Sequence, residues 1–287
     1  MDSCYDFLIM SQQPVRRAAV AGSWYPGSAA ALAAEVDRYL GEASPAVPEA
    51  RVDAVVAPHA GLMYSGPVAA WAYRAVQGGQ YEAVVLVGPS HHVGFEGAAV
   101  FPRGAFETPL GEAVVDEDLA AAILKSTHIA REFPQAHARE HSLEMQLPFI
   151  KRVLPDAPIV PIVMGHQSHA TVTALAEGLA RALEGRRVLL VASSDLSHYL
   201  PSASAAEMDA RVLECVTRFD PDGLCEVLKR QPDHACGGGP IVAVMRTARL
   251  IGAREARVLK YANSGDVSGD KSAVVGYMAA AFGQFVA

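Results

Sequence analysis

The chain has 287 residues, of which 51% are hydrophobic and 19% are charged, and its formal net charge is −7. This composition is typical of a compact globular domain and excludes a disordered chain. The acidic balance disfavours a nucleic-acid partner, because phosphate backbones are bound by basic surfaces. No apolar run reaches the roughly 18 residues that would predict a membrane-spanning helix. We therefore expect a cytoplasmic protein that binds neither nucleic acid nor membrane.

The first 13 residues do not resemble a signal peptide, because they contain Asp2 and Asp6 and no basic residue. No repeat, low-complexity tract or linker-like stretch divides the rest of the chain. The sequence therefore predicts a loose N-terminal extension over residues 1–13, followed by a single domain over residues 14–287. The four cysteines lack the spacing of a disulfide framework or a zinc finger, which indicates a reducing compartment.

Short apolar runs that end in turn residues recur along the chain. Runs that are apolar on both faces predict strands covered by helices on both sides, and hence a mostly parallel sheet. We therefore expect a three-layer α/β/α fold of the α/β class. The predicted strands are 52–57, 83–87, 159–164, 188–192, 258–262 and 273–280.

Helical periodicity occupies the segments between these predicted strands. Asp116 and Asp220 suit helix N-caps, and Pro221 suits a first helical position. A further helix is predicted over residues 241–250, after a glycine-rich turn. Two more stripes recur at helical spacing: Leu32, Val36, Tyr39 and Leu40, and then Met208, Val212, Cys215 and Phe219.

Three of the predicted strands run directly into polar, reactive residues. The sequences that follow them are PHAG at 58–61, GPSHH at 88–92 and SSDLSH at 193–198. Parallel sheets bind ligands at the carboxyl ends of their strands. One histidine at a strand end is most often structural, but three such ends predict a shared crevice that contains His59, His91, Asp195 and His198.

Cys236 lies before three glycines and a predicted helix, where the helix dipole is expected to favour its thiolate. With His59 and His91 it predicts a site for one transition-metal ion that keeps an open coordination position. Nitrogen and sulfur ligands favour Zn, Cu(I) or Fe(II) over Mg or Ca. Asp195 and His198 are then the catalytic candidates, able to orient a ligand or move a proton.

The remaining histidines and cysteines have weaker signals. The segment EHSLEMQLP at 140–148 places His141 and Glu144 on one face if it is helical, which leaves open a rim of the site or a structural helix start. Cys215 and Cys225 occupy apolar helical settings that favour core packing. Four other histidines lie in polar stretches and are expected to be solvated: His128, His137, His166 and His169.

Taken together, these motifs resemble the Memo family, whose bacterial and archaeal members are called AmmeMemoRadiSam system protein B. The resemblance begins near Arg16 and covers the chain from there. It includes AGSWYP at 21–26, PHAG with Tyr64, GPSHH, EHSLEMQLP, SSDLSH, the Cys236-Gly237 turn and YANSGD at 261–266.

The Memo family is structurally related to the class III extradiol dioxygenases, which are non-haem iron enzymes. The resemblance therefore implies a dioxygenase-like fold and maps the metal ligands onto His59, His91 and Cys236. It implies iron or copper rather than zinc, a small molecule or peptide in the cleft, and radical SAM and AMMECR-type partner proteins by family association. The cleft residues that we expect from the same motifs are Trp24, Tyr64, His92, Glu144, Asp195 and His198.

The leading hypothesis is a metal-binding, redox-active protein whose substrate is unknown. One alternative is a non-haem iron extradiol-type dioxygenase, and another is a non-catalytic module that binds peptides in a vestigial cleft. Ring-cleaving dioxygenases bind iron with two histidines and one carboxylate. Because Cys236 stands where that carboxylate would be, this sequence departs from the dioxygenase pattern.

Overall fold

The computed structural model describes residues 14–45 and 51–285, so the predicted extension at 1–13 lies outside the described residues. The strands are β1 (Val15–Arg16), β2 (Arg51–Ala57), β3 (Ala83–Pro89), β4 (Ala98–Val100), β5 (Ala105–Phe106), β6 (Ala113–Val114), β7 (Ala130–Glu132), β8 (Ile159–Met164), β9 (Val188–Ser193), β10 (His198–Leu200), β11 (Glu255–Asn263) and β12 (Val274–Gln284). The helices are α1 (Ala29–Glu42), α2 (Leu62–Arg74), α3 (Glu117–Ser126), α4 (Pro134–His137), α5 (Leu147–Val153), α6 (His169–Ala182), α7 (Ser202–Thr217), α8 (Pro221–Arg230), α9 (Gly238–Leu250) and α10 (Gly265–Ser268).

A large central sheet flanked by helices confirms the predicted α/β class. Its strand order is β10-β12-β2-β9-β3-β8-β4-β7, with β11 paired to β12. The four strands β2, β9, β3 and β8 are parallel to one another. Antiparallel strands extend this parallel centre on both sides, through β12 next to β2 and β4 next to β8. A small separate sheet contains β1, β5 and β6.

The register of the parallel strands aligns their carboxyl ends. Ala57 is paired with Ser193, and Val87 is paired with Ala192. Every residue of β3, β8 and β9 is buried, as expected for strands covered on both faces. Helix α9 packs on β2, β3 and β9, while α2 packs on β2, β11 and β12. Polar side chains therefore begin where the buried strands stop.

Helix signals in the sequence are confirmed at several positions. The Asp116 side chain accepts from the Leu119 N–H at the start of α3, and Asp220 accepts from the Gly223 N–H at the start of α8. Phe219 lies just beyond α7 with a positive φ of 52°, so the predicted stripe ends before it. Within residues 14–45 and 51–285, no helix has the length and apolar character needed to cross a membrane.

Arg16 anchors strand β1 through a buried guanidinium. It pairs with the buried carboxylate of Glu144 and donates to the carbonyl oxygens of His137 and Glu140. The neighbouring Arg17 pairs with Glu107 instead, but its side chain is 79% exposed. Adjacent arginines thus offer a buried and a solvated ion pair for direct comparison.

Replacing Arg16 with methionine should lower the free energy of unfolding by about 3–5 kcal/mol, because the change leaves Glu144 buried without its cation. Replacing Arg17 with methionine should cost less than about 1 kcal/mol, because water already screens that pair. Urea unfolding of both variants at neutral pH measures the difference. Equal losses would contradict the assignment of a buried anchor to Arg16.

His137 corrects one expectation, because it is 1% exposed rather than solvated. The sequence pattern predicts a polar loop, but the short helix α4 packs this side chain against β4. The Nε2 atom lies 3.1 Å from the Ala99 carbonyl oxygen and donates to it, while Nδ1 has no hydrogen-bond partner in the described part of the chain. Burial lowers the pKa of His137 to about 3, so the ring is neutral at physiological pH.

This lowered pKa makes stability depend on pH. In the unfolded chain the ring takes up a proton near pH 6.5, whereas the folded protein resists protonation until about pH 3. The stabilisation is complete above pH 6.5 and is lost as the pH falls between these values, by about 1.4 kcal/mol per pH unit. Between pH 7 and pH 5, the free energy of unfolding of wild type should fall by about 2 kcal/mol more than that of His137→Gln. Urea unfolding at both pH values measures the difference. Identical pH dependence in the two proteins would show that His137 does not contribute.

Candidate metal centre

Three chain segments converge at the carboxyl ends of the parallel strands. His59 follows β2, His91 follows β3, and Cys236 comes just before α9. All three line a cavity of about 1280 Å³. One potential ligand atom from each side chain lies within 4.8 Å of the others. The structure therefore brings together the three residues that the sequence and the family resemblance indicate as metal ligands.

The hydrogen bonds around His59 determine which ring nitrogen is free. Its Nε2 lies 3.2 Å from the Cys236 sulfur, and its Nδ1 lies 2.8 Å from the Ser193 hydroxyl oxygen. That hydroxyl donates to the Ser142 carbonyl oxygen and accepts from the Gln146 amide. Because the single hydroxyl hydrogen is already used, Ser193 can only accept from the His59 Nδ1–H. The Nε2 lone pair is therefore directed toward Cys236.

His91 is oriented by a buried carboxylate. Its Nδ1 lies 2.8 Å from Glu140, which also accepts from the backbone N–H groups of His91 and Ser142. Burial opposes ionisation, but the hydrogen bonds from His91 and Ser142 outweigh it and hold the pKa of Glu140 well below its usual range. An ionised Glu140 accepts from Nδ1–H and leaves the His91 Nε2 as the free ring nitrogen, an arrangement common behind metal-binding histidines.

Cys236 is a neutral thiol in the metal-free protein, contrary to the expectation from its helix position. Burial raises the pKa of the Cys236 thiol, and the charge of Asp195 raises it further. Burial also lowers the pKa of His59 well below its usual range. The pair is thus a neutral thiol beside a neutral imidazole. A metal cation would supply the positive charge that stabilises the thiolate.

Asp195 and His198, the two catalytic candidates, line the same cavity. One oxygen of Asp195 accepts from the backbone N–H groups of His59 and Ala60, at 2.7 and 3.3 Å. Burial raises the pKa of Asp195 to about 6. The loop between these residues is held by Gly276 of β12, because the Leu196 N–H donates to its carbonyl and its N–H donates to the Ser197 carbonyl.

His141 is a residue of this site that sequence reasoning left undecided. Its ring stacks on His91 with 4.4 Å between ring centroids, and it also lies 4.4 Å from the Trp24 ring in a tilted arrangement. Burial lowers the pKa of His141 to about 4. His141 and Trp24 thus form an aromatic wall of the cavity. The polar segment EHSLEMQLP was the signal in the sequence that indicated His141.

The other expected cleft residues occupy different positions. Trp24 lines the cavity with 39% of its surface exposed. The ring of His92 lies 6.0 Å from that of His141, and Tyr64 packs partly buried against the core. Neither His92 nor Tyr64 contributes to the lining of the cavity among the residues that the structure describes.

Glu144 lies away from the cleft. Besides Arg16, its carboxylate accepts from the Tyr25 hydroxyl and from the backbone N–H groups of Ala19 and Val20. It therefore anchors the N-terminal segment rather than a ligand. Residues 144–146 form a short 3-10 turn, and the predicted shared face does not form: His141 lines the cavity, whereas Glu144 pairs with Arg16.

Comparison with known families agrees with these motifs. A sequence model of the Memo-like protein family matches residues 16–281. The chain belongs to this family. The match includes every residue of the candidate centre, from Trp24 to Cys236.

Archaeal and bacterial relatives extend the match along the chain. A MEMO1 family protein of Ignicoccus hospitalis is 42% identical over 281 residues, which cover 93% of this chain and 98% of the relative. Relatives in Methanothermobacter thermautotrophicus and Thermotoga petrophila are 39% and 38% identical, and each alignment covers 92% of this chain and 98% of the relative. A crystal structure of an uncharacterized Escherichia coli K12 protein shares the fold, with a TM-score of 0.54 and 15% identity over 79% of this chain and 99% of that one.

The assigned tautomers can be measured directly. In metal-free protein, long-range proton–nitrogen NMR of the histidine rings should show His59 protonated at Nδ1. Ser193→Ala removes the acceptor for that proton, so the Nε2-protonated form should become populated. Ser197→Ala is the matched control, because the Ser197 hydroxyl is buried without a hydrogen-bond partner in the described residues. An Nε2-protonated His59 in wild type would show that the proton assignment is wrong.

Proposed function

We propose that this Memo-family chain is a redox-active metal protein that acts on a small molecule or peptide in its cleft. In this proposal His59, His91 and Cys236 hold one transition-metal ion per chain. The observation that supports it best is the convergence of the three side chains. The Nδ1 atom of each imidazole is also hydrogen-bonded to a buried acceptor. Preorganised donors of this kind lower the cost of binding a metal.

The residues present fit a transition metal by their chemistry. Two neutral imidazoles and one sulfur form a donor set that favours Zn, Cu(I) or Fe(II) over hard cations. Three protein ligands leave a coordination position open on the cavity side, which is typical of reactive rather than structural sites. The donor set alone accepts all three metals, and the preference for iron or copper over zinc rests on the family resemblance.

The chain's own residues then define what happens around the ligand. A bound metal ion would supply Lewis acidity and electron transfer. Asp195 keeps one oxygen on the backbone of the His59 loop, so its second oxygen is the one available to a ligand. With a pKa of about 6, this carboxyl can accept or release a proton near neutral pH. His141 and Trp24 contribute aromatic surface to the cavity in which this ligand would lie.

The thiol separates this proposal from ring-cleaving chemistry. A carboxylate binds hard Fe(II) and completes the facial arrangement that ring-cleaving dioxygenases use. A thiolate donates more electron density and is itself open to oxidation. The cavity of about 1280 Å³ also exceeds the range of roughly 300–1000 Å³ that is usual for small-molecule pockets. Both points favour a redox-active metal with a larger ligand over extradiol cleavage of simple catechols.

Compartment and partners complete the proposal. A reducing cytoplasm would keep the Cys236 thiol available to the metal. Radical SAM and AMMECR-type proteins are the partners that the family resemblance implies.

Elemental analysis tests the metal assignment. Protein purified without chelators should contain about one iron or copper ion per chain. His59→Ala and Cys236→Ser should lose most of this metal, because each removes one of three ligands. Cys225→Ser is the matched control, since Cys225 is a thiol on α8 that lines the same cavity without joining the ligand cluster. Equal metal content in all four proteins would end the assignment.

Dioxygen consumption by the same samples tests whether the bound metal is redox-active. Metal-loaded wild type should consume dioxygen when ascorbate is the electron donor, and metal-depleted wild type should not. Loaded Cys225→Ser should match wild type. Full metal occupancy without any dioxygen uptake would retain the metal site and refute its redox activity.

A further inference from the structure

We propose that Gln167 is the positioning residue of Cys236, because its side-chain amide bridges both sides of the turn that carries the thiol. This inference rests on the proposed metal site. It assigns the positioning of one ligand, Cys236, to a residue that is not itself a ligand. Gln167 follows β8, and nothing in its sequence context marks it as part of a site.

Both ends of the Gln167 amide are used. Its Nε2 donates to the Cys236 carbonyl oxygen at 2.7 Å, and its Oε1 accepts from the Gly239 N–H at 2.6 Å. The two contacts lie on either side of Gly237 and Gly238. Because a carboxamide is planar, these contacts fix the orientation of the Cys236 carbonyl relative to the start of α9. They therefore restrict the backbone conformation of the residue that carries the thiol.

The turn needs such an external constraint. Residues 237–239 are all glycine, which has the greatest backbone freedom of any residue and so gives the turn little stiffness of its own. A side chain on Gly237 would place its Cβ 2.4 Å from the Ser193 carbonyl oxygen, and one on Gly239 would lie 2.8 Å from the Gln167 Cβ. The glycines permit close packing against the strand ends, and the conformation of the turn must be set by its neighbours.

Ser194 supplies the second anchor. Its hydroxyl accepts from the Gly237 N–H at 2.9 Å and donates to the Asp195 carbonyl oxygen. The turn is thus held after β9 by Ser194 and after β8 by Gln167, with β3 and its His91 between them. These two anchors maintain the 3.2 Å contact between the Cys236 sulfur and the His59 Nε2.

Capping of α9 is the simpler role for Gln167, and the two roles can be separated. A cap requires only an acceptor for the Gly239 N–H. The second contact, from Nε2 to the Cys236 carbonyl, is not needed for a cap. Gln167→Glu keeps the acceptor, adds a negative charge that suits a helix N-terminus, and removes the donor. A capping role alone therefore predicts a variant with unimpaired stability and an unchanged thiol.

Cobalt(II) is the probe, because cobalt–thiolate bonds absorb in the near ultraviolet. Wild type titrated with Co(II) should develop this band. Gln167→Glu should bind Co(II) about 10–100-fold more weakly, with a weaker band, at an unchanged melting temperature. Gln231→Glu is the matched control, since Gln231 is an exposed glutamine that lines the same cavity and carries the same change of charge. The added charge alone would attract the cation and strengthen binding.

A second measurement needs no metal. In metal-free protein, alkylation of Cys236 by iodoacetamide should be several-fold faster in Gln167→Glu than in wild type, because the thiol leaves its contact with His59 more often. Gln231→Glu should react at the wild-type rate. Wild-type alkylation and Co(II) binding in Gln167→Glu would overturn the positioning role and leave the metal site intact. Absence of the thiolate band in wild type would overturn the metal site itself, and the positioning role with it.

Discussion

The parallel register of β2, β9 and β3 is the constraint on which the rest of the site depends. It places Ala57 beside Ser193 and Val87 beside Ala192, so the three strands end together. Because these strands are covered on both faces, almost every polar side chain in this part of the chain is excluded until the strands stop. Reactive residues from distant parts of the sequence therefore accumulate at one edge, and helix α9 brings Cys236 to the same edge.

A buried polar cluster is stable only if its donors and acceptors match. Here the match is close: the Ser193 hydroxyl makes three hydrogen bonds, and Glu140 accepts three. Both saturated groups hold histidines by Nδ1 and leave the other ring nitrogen for the cavity. The same burial that makes these bonds strong keeps Cys236 protonated in the metal-free protein. The fixed orientation of the two imidazoles and the protonation of the thiol thus share one cause, the burial of the groups involved.

Local patterns predict the parts of this structure that are determined locally. The run 159–164 matches β8 in full, and the capping residues Asp116 and Asp220 begin helices as expected. The ends of two hydrophobic runs predict that His59 and His91 lie at the edge of the sheet, because such a run shows where the buried strand stops. Local patterns do not predict the antiparallel extension of the sheet or the contacts of Gln167. These features depend on which remote segments become neighbours in the fold. The thiolate expectation failed for the same reason: a helix N-terminus is visible in sequence, but burial of the thiol is a tertiary effect.

Strand β12 links remote parts of the chain. It pairs with β2, so the first strand of the large sheet in chain order is completed by the last. Contacts between such remote segments form slowly, because a long loop must close before they contribute any stability. Gly276 of that same strand holds the loop between Asp195 and His198. Partly folded chains that lack the β2–β12 pairing can contain parallel strands and helices, but they cannot contain the finished cleft. A partly folded chain without the β2–β12 pairing would therefore give no signal in an assay of the metal site.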